Sequence, residues 1–213
     1  MIIGIMGESG SGKTTSLRNL DPKTTIYMDA DKKGLAWKGW KEQYNSENKN
    51  YFADDHANIA KLLLQKVNTD KEYKNIKVVV IDTLNGIMVA DEMRRMKEKG
   101  YDKWQDLAAS VYEVVDYALT MRPDVTVIFT AHTQTDREDN GYMFTRIKTS
   151  GKKLDKIVLE SKFPVVLHAK VIDGKHVFET QADSSTAKTP MGAFEDKYID
   201  NDIAQVLKAL EGY

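Results

Sequence analysis

Met1-Ile2-Ile3-Gly4-Ile5-Met6-Gly7-Glu8-Ser9-Gly10-Ser11-Gly12-Lys13-Thr14 is the stretch that decides this chain. The apolar run up to Met6 predicts a buried strand. It flows without a break into G-x-x-x-x-G-K-[ST], the phosphate-cradling P-loop. Glycines let the backbone turn tightly and aim its N–H groups inward at an anion. A helix is expected to open at Gly12-Lys13-Thr14-Thr15-Ser16-Leu17, adding unpaired N–H groups and a positive dipole end. Gly7, Glu8, Ser9, Gly10, Ser11, Gly12, Lys13, Thr14 and Thr15 are therefore the expected phosphate-binding residues. Lys13 supplies a mobile charge for the β- and γ-phosphates, and the Thr14 hydroxyl is placed to ligate Mg²⁺. The competing reading is an ordinary Gly/Ser strand-to-helix turn.

Working outward, 213 residues with 41% hydrophobic content suffice for one well-buried α/β domain. Because Met1 lies at the first strand, no N-terminal appendage is expected. No stretch approaches the ~20 apolar residues of a membrane span, and no secretory signal is visible. The absence of cysteine excludes disulfides and thiol metal sites, and a cytoplasmic location is expected, the host cytoplasm if the chain is phage-encoded. His56, His132, His168 and His176 show no metal-ligand spacing. A formal charge of −1 and a pI near 6.4 argue against a strongly basic nucleic-acid coat.

Further strands are expected at Thr24–Asp29, Lys77–Asp82, Val125–Ala131 and Phe163–Val171. Asp173-Gly174 turns the last of these into Lys175–Thr180 as a hairpin. Between them, Asp54-Asp55 can cap a helix with Ile59, Leu62, Leu63 and Val67 on one face. Leu84 to Lys99 reads as a helix stopped by Gly100, and another runs from Asp106 towards Pro123. Strands alternating with helices imply right-handed crossovers about a mostly parallel sheet.

Val78-Val79-Val80-Ile81-Asp82 places a carboxylate at the carboxyl end of a buried strand, the edge where open α/β sheets bind ligands. Asp82 would hold Mg²⁺ opposite Thr14; otherwise it caps the next helix. Hydrolysis also needs a group to orient water. Asp29 and Asp31 end the second strand, and Glu8 sits in the loop itself.

Taken in order, Gly7 to Thr15, Met28-Asp29-Ala30-Asp31, Val79-Val80-Ile81-Asp82-Thr83 and Ile128-Phe129-Thr130-Ala131-His132 resemble the ATPase core of the RecA-like recombinases. The resemblance covers about residues 1–180. In that family the second strand ends hydrophobic-Asp-Ala-Glu, and the Glu activates water. Asp31 occupies its place, one methylene shorter. The family also ends its fourth strand with a polar residue, usually Gln, that senses the γ-phosphate. His132 stands there, with a loop-capping role as the alternative. The chain also looks like the short phage-type relatives that consist of little more than this core and act as single-strand annealing proteins. Ala187 to Phe194 resembles a segment those relatives carry. The resemblance implies a single RecA-like domain over residues 1–213, with a C-terminal segment and helix over 181–213. The segment that links subunits of full-length recombinases, and their separate DNA-binding domain, have no counterpart in the sequence.

Residues 133–153 form a polar stretch with little periodicity, read as a mobile loop. It carries Arg137, Arg146, Lys148, Lys152 and Lys153 with Tyr142 and Phe144. Cations interleaved with aromatics suit a single strand, pairing phosphates while bases stack. In RecA-like proteins the loop after the sensor strand contacts DNA. Glu138 and Asp139 dilute this signal, and a solvated surface loop is the alternative. Arg94, Arg95, Lys97, Lys99 and Lys103 read as an exposed helix face, with a DNA site as the alternative, and Trp37 and Trp40 as packing or subunit-contact residues rather than base-stacking platforms. ATPases of this class often complete the site with a cation from a neighbouring subunit; Lys188, Lys152 and Arg146 are the candidates.

The sequence thus predicts an α/β P-loop NTPase with a RecA-like core and a C-terminal hairpin. It would bind ATP·Mg²⁺ and hydrolyse it while acting on single-stranded DNA as a homo-oligomer, away from membranes. Lys13, Asp31, Asp82, Glu8 and His132 are the expected catalytic residues. Two alternatives stand: a nucleotide-gated, helicase-loader-like switch with little hydrolysis, and a small-molecule kinase, for which no compact Arg cluster is found. Asn48-Lys49-Asn50-Tyr51 fails as a guanine-reading motif at its last position.

Overall fold

A computed structural model of the protein describes residues 1–100, 102–137, 141–149 and 158–213. Its centre is an eight-stranded sheet. The strands are β1 (Ile2–Gly7), β2 (Thr25–Asp29), β3 (Tyr51–Phe52), β4 (Val78–Asp82), β5 (Thr126–Ala131), β8 (Val165–Ile172), β9 (Lys175–Glu179) and β10 (Tyr198–Asp200). Their spatial order is β10-β9-β8-β1-β5-β4-β2-β3. β3 to β8 run parallel through β1, whereas β9 and β10 add antiparallel strands. This is the P-loop NTPase α/β fold, mostly parallel with a C-terminal hairpin.

β1 is buried at all six positions, as a central parallel strand must be. Ile2 and Met6 face a core shared with α2 (Ala57–Thr69), α3 (Leu84–Arg94) and α4 (Asp102–Ala118). Ile3 and Ile5 face Leu17, Leu20 and α5 (Ile203–Ala209) on the other side. Each fully buried side chain of this kind contributes about 1.5–3 kcal/mol. Gly4 is small for a reason: a Cβ there would come within 3.2 Å of the Phe163 ring, which lies edge-on to Phe129 at 5.7 Å. The Asp173-Gly174 turn is made with both residues at positive φ, 51° and 76°. That twist suits a two-residue hairpin.

Several elements differ from the sequence expectation. α2 begins after His56, which makes no side-chain capping bond, and buries Ala60, Leu63, Leu64 and Val67, so its apolar face is rotated and leaves Ile59 and Leu62 exposed. α3 ends at Arg94, and Val89, Met93 and Met96 beyond its first turns are exposed. Without a surface to pack against, propensity alone does not carry the helix to Gly100. α4 begins earlier than expected, at Asp102. The stretch read as an irregular loop instead forms an antiparallel ribbon, β6 (Thr133–Arg137) with β7 (Met143–Ile147). Lys152 and Lys153 lie outside the described residues, as do Glu138 and Asp139. Among the described residues, no helix is long and apolar enough to cross a membrane.

Trp37 and Trp40 pack as expected. Trp37 lies edge-on to Tyr27 and Tyr44, and Trp40 lies 5.2 Å from Tyr51. Trp40 opens a short helix, α1 (Trp40–Gln43), and Trp37 precedes it. Arg94 pairs with Asp55, and Arg95 with Glu98 and Asp106; Lys97 and Lys99 are exposed as expected, whereas Lys103 is buried, its ammonium 5.1 Å from the Trp104 ring.

Candidate active site

β1 delivers Gly7 to the carboxyl edge of the sheet, and the chain doubles back at once. Ser16 N–H donates to Gly12 O at 2.8 Å, closing one α-turn. The expected helix then tightens into a 3₁₀ turn at Thr15–Leu17. One cause is Arg18, whose guanidinium donates to Thr15 O at 3.0 Å and to Asn201 O at 2.9 Å, occupying a carbonyl that a continuing helix would use. Pro22 ends the segment soon after.

Glycine is required at two loop positions. A Cβ on Gly7 would lie 2.4 Å from Ser11 Oγ and 2.7 Å from Ala169 O. Gly12 sits at φ 99°, and a Cβ there would lie 2.8 Å from Asn201 Oδ1 and 2.9 Å from His176 Nδ1. His176 also braces the loop through Ser11 O at 3.0 Å. Ser11 Oγ and Asn201 Nδ2 are buried without hydrogen-bond partners among the described residues, an arrangement that normally marks an unseen polar ligand or strain. A cleft of about 260 Å³ opens beyond Thr15, lined by Arg18, His176, Asn201 and Gln205. His176 and Asn201 carry no sequence signal, because the sheet brings them to the loop from more than 160 residues away.

Lys13 folds across the loop, its ammonium donating to Gly7 O and Glu8 O, each at 2.8 Å. Burial lowers its pKa, and Asp82 opposes that shift. The Thr14 hydroxyl donates to Asp82 Oδ2 at 2.9 Å. The same oxygen accepts from the Tyr27 hydroxyl, and Asp82 Oδ1 accepts from Thr130. Asp82 is thus buried and held by three hydroxyls, one each from the loop, β2 and β5. Thr14 and Asp82 present hard oxygen donors side by side, a set that fits Mg²⁺. Burial and the Asp82 charge push the Tyr27 phenol far above its ordinary pKa, so it remains a donor.

β2 ends beside β4 at Asp29, and that aspartate and Asp31 in the following turn divide sharply. Asp29 is buried and accepts from Gly34 N–H and the Tyr51 hydroxyl, each at 2.7 Å. It is a structural brace. Asp31 is partly exposed, accepting from Thr83 Oγ1 at 3.1 Å and from Lys33 Nζ at 2.5 Å. Thr83 is also the N-cap of α3 through Gly86 N–H at 2.9 Å. A cleft of about 350 Å³ is lined by Asp31, Asn85, Gly86, Val89 and His132.

His132 ends β5 and is half-buried. Burial and the Lys13 charge lower its pKa, so it is neutral near pH 7. Its backbone N–H donates to Asn85 Oδ1 at 2.7 Å, while Asn85 Nδ2 donates to Lys148 O at 2.8 Å. Asn85 therefore clasps both ends of the β6–β7 ribbon, a role that sequence reading missed. Glu8 accepts from Thr133 Oγ1 at 2.7 Å. It thus reaches the root of the ribbon.

Of the ribbon cations, Arg137 and Lys148 are exposed, and Arg146 is paired with Asp136. The Lys148 charge is felt at His132. Lys188 is exposed on a segment whose backbone pairs with Val166, the second residue of β8, at the end of that strand away from the carboxyl edge.

A family model described as an AAA domain matches residues 1–190. The chain belongs to that family. It is an ATPase-type, nucleotide-binding P-loop domain. No curated protein matches it.

Proposed function

We propose that the protein binds ATP with Mg²⁺ and hydrolyses it, coupling the nucleotide to single-stranded DNA held on the β6–β7 ribbon. One observation carries this reading: Lys13, the Thr14–Asp82 pair, Asp31 and His132 converge on one sheet edge, and the ribbon springs directly from His132. Lys13 and the loop amides would hold the phosphates, and the nucleoside would leave past Thr15 into the neighbouring cleft. Thr14 and Asp82 would hold Mg²⁺, which supplies positive charge against the β- and γ-phosphates. Asp31 would orient the attacking water, and His132 would report the γ-phosphate to the ribbon through its Asn85 clasp. The motif order resembles the short single-strand annealing members of the RecA-like group, so annealing by an oligomer is the outcome we favour. Arg137, Arg146 and Lys148, with Lys152 and Lys153 beyond the described residues, are the proposed DNA contacts. Lys188 is proposed as a cation offered to a neighbouring copy.

A second reading has its own support. The Asp31 carboxylate is bound at once by Lys33 and Thr83, which favours a nucleotide-gated switch that hydrolyses little. Steady-state ATPase assays with and without single-stranded DNA separate the two. Turnover stimulated by DNA supports the first reading. Tight ATP binding with negligible turnover under both conditions supports the switch, and phosphate appearing on a small acceptor refutes both.

A further inference from the structure

The cations considered from sequence as completing the site lie outside the described residues (Lys152), pair within the ribbon (Arg146) or sit on the segment bridged to the start of β8 (Lys188). A different one faces it. Lys33 is placed by the turn that follows β2. Buried Asp29 anchors that turn through Gly34 N–H and Tyr51. Gly34 has φ 79° and lies so close beneath the Trp40 ring that a Cβ would come within 2.8 Å. Lys32 adopts φ 55°, a conformation uncommon outside glycine. The result is that successive lysines part: Lys32 pairs outward with Asp55 at 2.8 Å, and Lys33 turns inward to Asp31 at 2.5 Å. The Lys33 charge is felt at Lys13 and at His132, and Asp82 and Asp29 act back on Lys33. Lys33 therefore stands among the groups that would surround a γ-phosphate, on a long stem with its head half-exposed.

We propose that Lys33 is a catalytic cation acting within its own chain: it releases Asp31 and binds the γ-phosphate as the triphosphate is cleaved. This rests on the hydrolytic reading above. In the step, the water oxygen bonds to the γ-phosphorus and the bond to the β–γ bridging oxygen breaks. The electron pair stays on ADP, and the water proton passes to the Asp31 carboxylate and on to phosphate. Lys33 neutralises the charge that gathers on the transferring group, where a positioned cation acts most strongly. Its departure from Asp31 also frees that carboxylate to face water. One lysine would thus restrain the resting site and serve the reacting one.

The test compares wild type with Lys33→Gln and Lys33→Arg, in the full chain with single-stranded DNA. ATP and ADP affinities should stay within about threefold, because Lys13 and the loop amides bind the ground state. Turnover of Lys33→Gln should fall about 100-fold or more. Affinity for ADP with aluminium fluoride, a mimic of the transferring phosphoryl group, should fall with it. Lys33→Arg should recover part of both. A role only in bracing the turn would move the melting temperature and all three affinities together. Equal mixtures of Lys33→Gln and Asp31→Asn should stay inactive, since no site then has both groups; recovered turnover would place Lys33 in a neighbour's site and overturn the proposal. Normal wild-type turnover with undiminished Lys33→Gln turnover overturns the Lys33 assignment alone. A wild type that binds ATP and never cleaves it overturns the hydrolytic reading and this inference with it.

Discussion

The two walls of the nucleotide site are built on different terms. The wall formed by the P-loop, β4 and β5 is buried and tied by many short bonds: Lys13 to two carbonyls, and Asp82 to Thr14, Tyr27 and Thr130. The wall formed by the end of β2, the start of α3 and His132 is half-exposed, and its key carboxylate is held by side chains that can exchange partners. Only an extended polar group removed from water must be satisfied permanently. The first wall therefore suits binding, which needs a fixed cradle. The second suits chemistry and signalling, which need groups that move.

The strongest way to break this contrast is at Lys13. Lys13→Ala removes the charge that the cradle is built around, and nucleotide affinity should fall by about 100-fold or more, measured by calorimetry. The fold should survive, because the ammonium bonds only to carbonyls of its own loop. Retained affinity would show that the rigid wall does not do the binding.

Next in size is the pair of aspartates at the end of β2 and in the turn after it, Asp29 and Asp31. Asp31→Asn should spare nucleotide binding while lowering turnover about 100-fold, within the range for a lost general base. Asp29→Ala should act on stability instead: it leaves the partly buried Gly34 N–H and Tyr51 hydroxyl without their acceptor and should cost about 1–3 kcal/mol by denaturant titration. If both variants lose stability equally, the distinction between brace and moving part is void.

The sequence made one wall far more legible than the other, for a physical reason. The loop is a contiguous motif whose glycines, lysine and threonine are fixed by local geometry, and Asp82 closes a buried apolar run. Those positions could be named without knowing any neighbour. Asn85, His176 and Asn201 matter through contacts with residues distant in the chain, and Lys33 through the particular turn that aims it at Asp31; no spacing rule encodes them. The ribbon was opaque because Thr133-Gln134-Thr135-Asp136-Arg137 is polar on both faces, so a period of two leaves no hydrophobic alternation to see. The rotated face of α2 has a related cause. Ile59 and Leu62 are apolar enough to pass for core, and only the position of α4 decides which stripe is buried.

A smaller effect is expected on the ribbon. Arg137→Glu and Lys148→Glu should each weaken single-stranded DNA binding several-fold and shallow the dependence of log affinity on log salt by about 0.7 per lost phosphate contact. Nucleotide affinity without DNA should stay unchanged. An unaltered salt slope would remove the ribbon from the DNA-binding reading and leave the moving wall without an output.

The finest discrimination comes from pH. His132 belongs to the moving wall, and burial with the Lys13 charge lowers its pKa. His168 lies on β8, paired with Met6 of β1, where burial and then Lys170 lower its pKa in spite of Glu179. In both cases the unfolded chain takes up the proton first, near pH 6.5. The unfolded state then binds more protons, so stability rises with pH across this window. Each histidine's contribution is intact above about pH 6.5 and is lost as pH falls from there through its lowered folded value. Melting temperatures between pH 7.5 and 5 should therefore slope downward on acidification, and His132→Gln or His168→Gln should each flatten the slope. Carboxylates held low by their partners, such as Asp55 and Asp136, lose their contribution only in a more acidic range. The walls then separate on adding ATP. A triphosphate beside His132 favours its protonated form and should shrink the His132 share of the slope, while the His168 share persists. Equal shrinkage of both would mean that the nucleotide's charge reaches the two walls alike.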